Sequence, residues 1–135
     1  MSMNSRELVA ASFERCDSHG SFTDVFYEIF LGKSDEIRKH FKSTNFEKQK
    51  KLLRASVYIL VLQDISSPKA QNILNKIGAT HSKSQLNIPP NLYSIWLDSL
   101  CETLQKNDPE YDEVLESHWR DIMREPIEYI VAQYT

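Results

Sequence analysis

A chain of 135 residues with 41% apolar content supports one domain with a real core and is too short for two. Its three glycines argue against a turn-rich all-β fold and leave no glycine-rich phosphate loop. Sixteen basic side chains against nineteen acidic ones give a net charge of −3, and no basic stripe is interleaved with aromatics, which speaks against nucleic acid as a partner.

The N-terminal segment MSMNSRELVAASFERC has no apolar run of signal-peptide length. The longest apolar run, VYILVL from Val57 to Leu62, is far too short to cross a bilayer. A cytoplasmic protein with no membrane attachment is expected. Asn4 or Ser5 can cap a first helix running to about Cys16, with Leu8, Val9, Ser12 and Phe13 on one side. Next comes an apolar stripe of Phe22, Val25, Phe26, Ile29 and Phe30, ended by Gly32. SDEIRKHF opens with Ser34 in an imperfect capping box and reads as a short helix ending near Phe41.

STNFEKQKKLLRASVYILVLQD is a long helix carrying Leu52, Leu53, Ser56, Val57, Leu60 and Val61. SSPKAQNILNKIGATH starts on serine caps with Pro68 in the first turn, where a missing N–H costs nothing. Pro89 and Pro90 open a further helix through Leu104. Asp108, with Pro109 behind it, is expected to cap the last one, and Pro126 to bend or split it. Cys16 and Cys101 stand apart without metal-type spacing, and buried free thiols are the favoured reading. The expected fold is all-α, a single domain over residues 1–135 with about seven helices.

Several residues bear chemistry, and each has an ordinary structural reading beside it. His81 ends the fifth helix, where an imidazole can serve the C-terminal dipole or ligate a metal. Tyr27 can be an amphipathic core tyrosine, and Gln49 can sit on a solvated lysine-rich face with Lys48, Lys50 and Lys51. Gln49 and Leu53 are four apart and so share a helix face. Phe41 and Leu53 suit plain core packing. His19 reads as solvated, His118 as a packing or surface residue.

The ordered series DVFYEIF with Tyr27, EIRKHF ending at Phe41, FEKQKKLL with Gln49 and Leu53, and then His81 resembles the globin family. The likeness is to bacterial single-domain globins and the globin module of flavohaemoglobins. Spacing matches from Tyr27 to Phe41 and from Gln49 to His81. The segment between Phe41 and Gln49 is slightly shorter than in that module, and the hinge from His81 to Tyr93 slightly longer. YSIWLDSLCETLQKNDPEYDEVLESHWRDIM looks like the last two helices of proteobacterial single-domain globins, so the resemblance covers essentially the whole chain.

This resemblance implies a globin fold around a haem pocket, with haem b (iron protoporphyrin IX) as cofactor and His81 as the proximal iron ligand. Phe41 would wedge the porphyrin, Leu53 roof the distal side, Ile77 pack on the porphyrin face, and Tyr93 stand beside His81. Tyr27 and Gln49 would face the bound gas as hydrogen-bond donors. Dioxygen, nitric oxide or carbon monoxide would be the ligand, in storage, scavenging or sensing. An alternative is nitric oxide dioxygenation with a separate reductase, since no flavin or nicotinamide domain is present; another is a haem-free globin-like interaction domain. His40 would reach a propionate or the distal mouth, and a lysine among 48, 50, 51 and 83 would pair with a propionate. A homodimer is left open. Flavohaemoglobins place a glutamate near the proximal histidine; here that position falls near Tyr134, with Glu125 and Glu128 earlier, so the electron-pushing proximal arrangement is not implied.

Overall fold

The computed structural model describes residues 4–18, 20–82 and 87–134. Seven α-helices occupy them: α1 (Ser5–Ser18), α2 (Phe22–Leu31), α3 (Asp35–His40), α4 (Phe46–Leu62), α5 (Pro68–His81), α6 (Asn91–Asn107) and α7 (Glu113–Val131). No strand occurs among the described residues. The principal packing pairs are α2 on α6, α1 on α7 and α5 on α7, with α4 against α1 and α7. His19 and Lys83 lie outside the described residues, so their expected roles go with them.

Local chemistry sets most of the helix starts. Asn4 Oδ1 accepts from the Glu7 amide at 2.8 Å, Ser34 from Ile37, Asn45 from Lys48, and Ser67 from Ala70 at 3.1 Å with Pro68 behind it. The C-terminal carbonyls of α4 are met by a tertiary partner: Arg6 Nη1 donates to the Leu60, Val61 and Gln63 carbonyls, each at 3.0 Å.

Two boundaries differ from expectation. α4 begins at Phe46, because Asn45 rather than Ser43 or Thr44 supplies the cap. Asp108 does not cap α7. Asp112 does, accepting from the Leu115 amide at 2.7 Å, while α6 runs to Asn107. The reason is that the Asp108 carboxylate is fully engaged elsewhere. Arg15 donates Nε to Oδ1 at 2.7 Å and Nη2 to Oδ2 at 2.9 Å, and the Ser12 hydroxyl donates to Oδ2 at 2.6 Å. Trp119 Nε1 in turn donates to Ser12 Oγ at 3.0 Å. One buried network thus ties α1, the end of α6 and the middle of α7. Burial pushes Asp108 up, but the hydrogen bonds from Arg15, Ser12 and the Glu110 amide, with the Arg15 charge, hold it below the usual carboxylate range.

α7 continues unbroken through Pro126, which is buried, so the proline does not split the helix. The core runs through Val9, Phe22, Phe26, Ile37, Val57, Leu74, Leu100, Leu104, Trp119 and Met123. Leu53 is buried but its neighbour Leu52 is exposed, since side chains 100° apart on a helix cannot share one narrow face. Cys16 and Cys101 are free, buried thiols, each pushed up to about 12 by burial.

Candidate functional site

α2 owes its placement to Phe22, Phe26 and Phe30, four apart and all buried. Phe26 stacks on Phe30 at 5.3 Å and meets Trp96 of α6 edge-on at 5.7 Å. With that stripe turned inward, Tyr27 lies on the adjoining face, its ring in edge contact with Phe26, Phe41 and Phe46 at 5.1, 5.8 and 5.5 Å. Phe41 and Phe46 stack at 5.9 Å. Three aromatic neighbours therefore fix the tyrosine ring.

The Tyr27 hydroxyl is met by a single side chain among the described residues: Gln49 Nε2 donates to Tyr27 Oη at 3.0 Å. Burial raises Tyr27 to about 12, against the opposing pull of the Gln49 bond, so the phenol keeps its proton at any physiological pH. Accepting from Gln49 leaves that proton free to donate. Leu53, one turn beyond Gln49, is buried in the core cluster. A second link joins the same two helices, with Lys50 Nζ 2.7 Å from Asp24 Oδ1. Of the lysine-rich face, Lys50 is thus paired, while Lys48 and Lys51 are exposed.

His81 is the last residue of α5 and is half-buried. Its Nδ1 lies 3.0 Å from Tyr93 Oη on the first turn of α6, the rings 6.3 Å apart. Nε2 has no partner among the described residues. Burial first, and the charge of His40 second, hold His81 below the ordinary imidazole value, which favours the neutral ring. Burial raises Tyr93 to about 12. Glu125 and Glu128 are exposed. At the alternative position, Tyr134 donates its hydroxyl to Asn87 Oδ1 at 2.5 Å.

Residues 87 and 88 bond back to the end of α5. The Ile88 amide donates to the His81 carbonyl at 3.1 Å and the Asn87 amide to the Ser82 carbonyl at 2.8 Å. Asn87 adopts φ 53°, a left-handed conformation that asparagine tolerates better than most residues. These two backbone bonds hold the approach to α6, and so Tyr93, beside the end of α5.

Direct contacts therefore join Tyr27, Gln49 and Phe41 in one cluster, and His81 and Tyr93 in another. Ile77 is half-buried against the core one turn before His81, and no bond links it to the polar residues. Phe46 and the Asp24–Lys50 pair escaped the sequence reading. Phe46 is three residues before Gln49, a helical spacing that could have placed it beside the tyrosine. His118 accepts or donates at Ser5 Oγ, 2.7 Å away, and is a packing residue. A cleft of about 550 Å³ lined by Ser21, Asn107, Asp108, Pro109 and Tyr111 shares no residue with this site.

Seven helices in this order and packing define an all-α globin fold. A solved structure similar to this chain is a protein from Pseudomonas aeruginosa PAO1 described as structurally highly homologous to a human hemoglobin. The two share 36% identity with a TM-score of 0.89, over 97% of this chain and 98% of that one. The chain belongs to the globin family. No protein-family model and no curated protein matches it. No helix among the described residues is long and apolar enough to cross a membrane.

Proposed function

We propose that this globin holds haem b through His81 and reversibly binds dioxygen or another diatomic gas. One observation carries the reading: a polar pair, Tyr27 and Gln49, set in an aromatic wall with a hydroxyl proton left over. The amide satisfies the hydroxyl as an acceptor, and the phenolic proton that remains is a donor for a polar ligand.

The donor set fits the cofactor. Among the described residues no group of three or more His, Cys, Asp or Glu could hold a bare metal ion. One imidazole with a free Nε2 suits an iron whose remaining protein-independent ligands a porphyrin would supply. Bound haem would supply a ferrous iron with one coordination position open to a diatomic gas. His81 would ligate through Nε2, its Nδ1 proton donated to Tyr93, which fixes tautomer and ring plane. Phe41, Leu53 and Ile77 would exclude water from the porphyrin faces. Tyr27 would donate to an electronegative ligand while Gln49 holds its hydroxyl in place.

The test is the visible absorption of the purified protein, oxidised, reduced, and exposed to oxygen or carbon monoxide. The reading expects a Soret band that shifts on reduction and again, reversibly, with each gas. Protein that takes up no stoichiometric haem would instead support a haem-free interaction domain.

A further inference from the structure

The first two turns of α4, residues 46–52, carry no fully buried side chain, and the helix first meets the core at Leu53. Gln49 stands in those turns, so no core packing around it aims its amide at Tyr27. Phe46, half-buried, rests its ring on Tyr27 and Phe41. Such ring contacts tolerate small rotations of the helix, whereas a 3.0 Å hydrogen bond weakens steeply when its angle is lost.

The ion pair beside that bond supplies what the core does not. Lys50 Nζ lies 2.7 Å from Asp24 Oδ1, and no other ion pair among the described residues uses either group. Asp24 precedes Tyr27 by three on α2, so the two are neighbours on one helix surface. Lys50 follows Gln49 directly on α4, 100° further round the axis. Two links therefore run side by side between the same two helices, Gln49 to Tyr27 and Lys50 to Asp24. A single link leaves α4 free to roll about its axis. A second link, 100° round, opposes the roll. Asp24 is exposed and Lys50 half-buried, so the pair adds little to overall stability. Its effect is confined to local geometry, about twofold to fivefold in an equilibrium.

We propose that Asp24 and Lys50 are positioning residues for the Tyr27–Gln49 pair. Their ion pair fixes the roll of the first turns of α4 and keeps the Gln49 amide on the Tyr27 hydroxyl. That the hydroxyl so held serves a bound gas rests on the proposed function; the positioning itself does not require haem.

Proton exchange of the Gln49 side-chain amide, followed by NMR, reads the bond directly. The protein is used as purified, reduced and under carbon monoxide so that any haem is diamagnetic, and Gln49→Leu identifies the signal by its loss. Lys50→Met, which keeps an apolar stem without the charge, should speed the exchange about twofold to fivefold, and Asp24→Asn should do the same. The double variant should be no worse than either single one, since each group acts only through the other. About 1 M sodium chloride should bring the wild type to the variants' rate and leave the variants unmoved. The urea midpoint should hardly change, which separates positioning from a general loss of stability. Where haem is bound, oxygen dissociation should quicken by a like factor in these variants, but not once Tyr27 is already Phe. Where none is bound, the proposed function fails and the amide measurement still decides the positioning. Unchanged exchange in either single variant, additive effects in the double, or a change that merely follows the urea midpoint overturns the inference.

Discussion

Gln49 Nε2 donates to Tyr27 Oη across 3.0 Å, joining α4 to α2 at a point where the tyrosine ring otherwise meets only aromatic edges. The bond makes the amide a holder of the hydroxyl and leaves the phenolic proton for a ligand. Two residues 22 apart in sequence thus act as one device.

Removing the hydroxyl should therefore release the ligand. A hydrogen bond to a partly charged acceptor is worth about 1.5–3 kcal/mol, so Tyr27→Phe should speed oxygen dissociation about tenfold to a hundredfold. Carbon monoxide, which carries less charge, should respond much less. Stopped-flow rates for both gases check this; an unchanged oxygen rate would remove Tyr27 from the role.

Gln49→Leu should also speed oxygen loss, but by a different factor once Tyr27 is already Phe. Two groups in one network do not contribute additively. A double-mutant cycle on the dissociation rates measures the coupling, and additive effects would mean that the 3.0 Å bond has no part in ligand retention.

On the other side of the site, Tyr93→Phe deprives His81 Nδ1 of its partner. A neutral hydrogen bond of this kind is worth about 1 kcal/mol, so the fold should survive while the imidazole turns more freely. Resonance Raman of the ferrous protein should show a shifted or broadened iron–histidine stretch. An identical band would indicate that Tyr93 does not orient His81.

Asp108 offers a test away from the site. Its folded-state carboxyl is held below the ordinary 3.8, so its contribution is present at neutral pH and above 3.8. That contribution fades as pH falls through the lower folded value. Asp108→Asn should cost about 2–3 kcal/mol at pH 7, because Arg15 keeps its charge but loses its carboxylate. Urea unfolding should show the gap between variant and wild type narrowing as pH drops below 3.8. A gap constant across that range would contradict the paired-carboxylate account.

What sequence could reveal here follows from how local each cause is. Ser67 with Pro68 marks the start of α5 because the cap bonds lie within four residues. The end of α6 was not readable that way. Asp108 looks like a cap for the following helix, and only contacts with Arg15 and Ser12, more than 90 residues away, take it out of that role. Leu52 and Leu53 look alike in a hydrophobic run, and helix orientation alone decides that one is buried. In the site, Tyr27, Gln49 and His81 stood out through ordered spacing. The aromatic frame did not: the spacing of Phe46 from Gln49 puts it near the tyrosine, but its stacking on Phe41 joins the end of α3 to the start of α4 and has no local signal. The contact of His81 Nδ1 with Tyr93 likewise depends on the bonds of Asn87 and Ile88 back to the end of α5.

We propose that His81, whose Nε2 has no partner among the described residues, is the group that holds the haem. The most direct measurement is the ferrous absorption spectrum, with and without carbon monoxide, of wild-type protein and His81→Ala after haem reconstitution. The account predicts a stoichiometric, five-coordinate ferrous haem in the wild type that shifts cleanly with carbon monoxide. In the variant it predicts that this spectrum is lost, or that only loosely bound haem remains, with addition of free imidazole restoring it in part. A variant whose ferrous and carbon monoxide spectra match the wild type would contradict it.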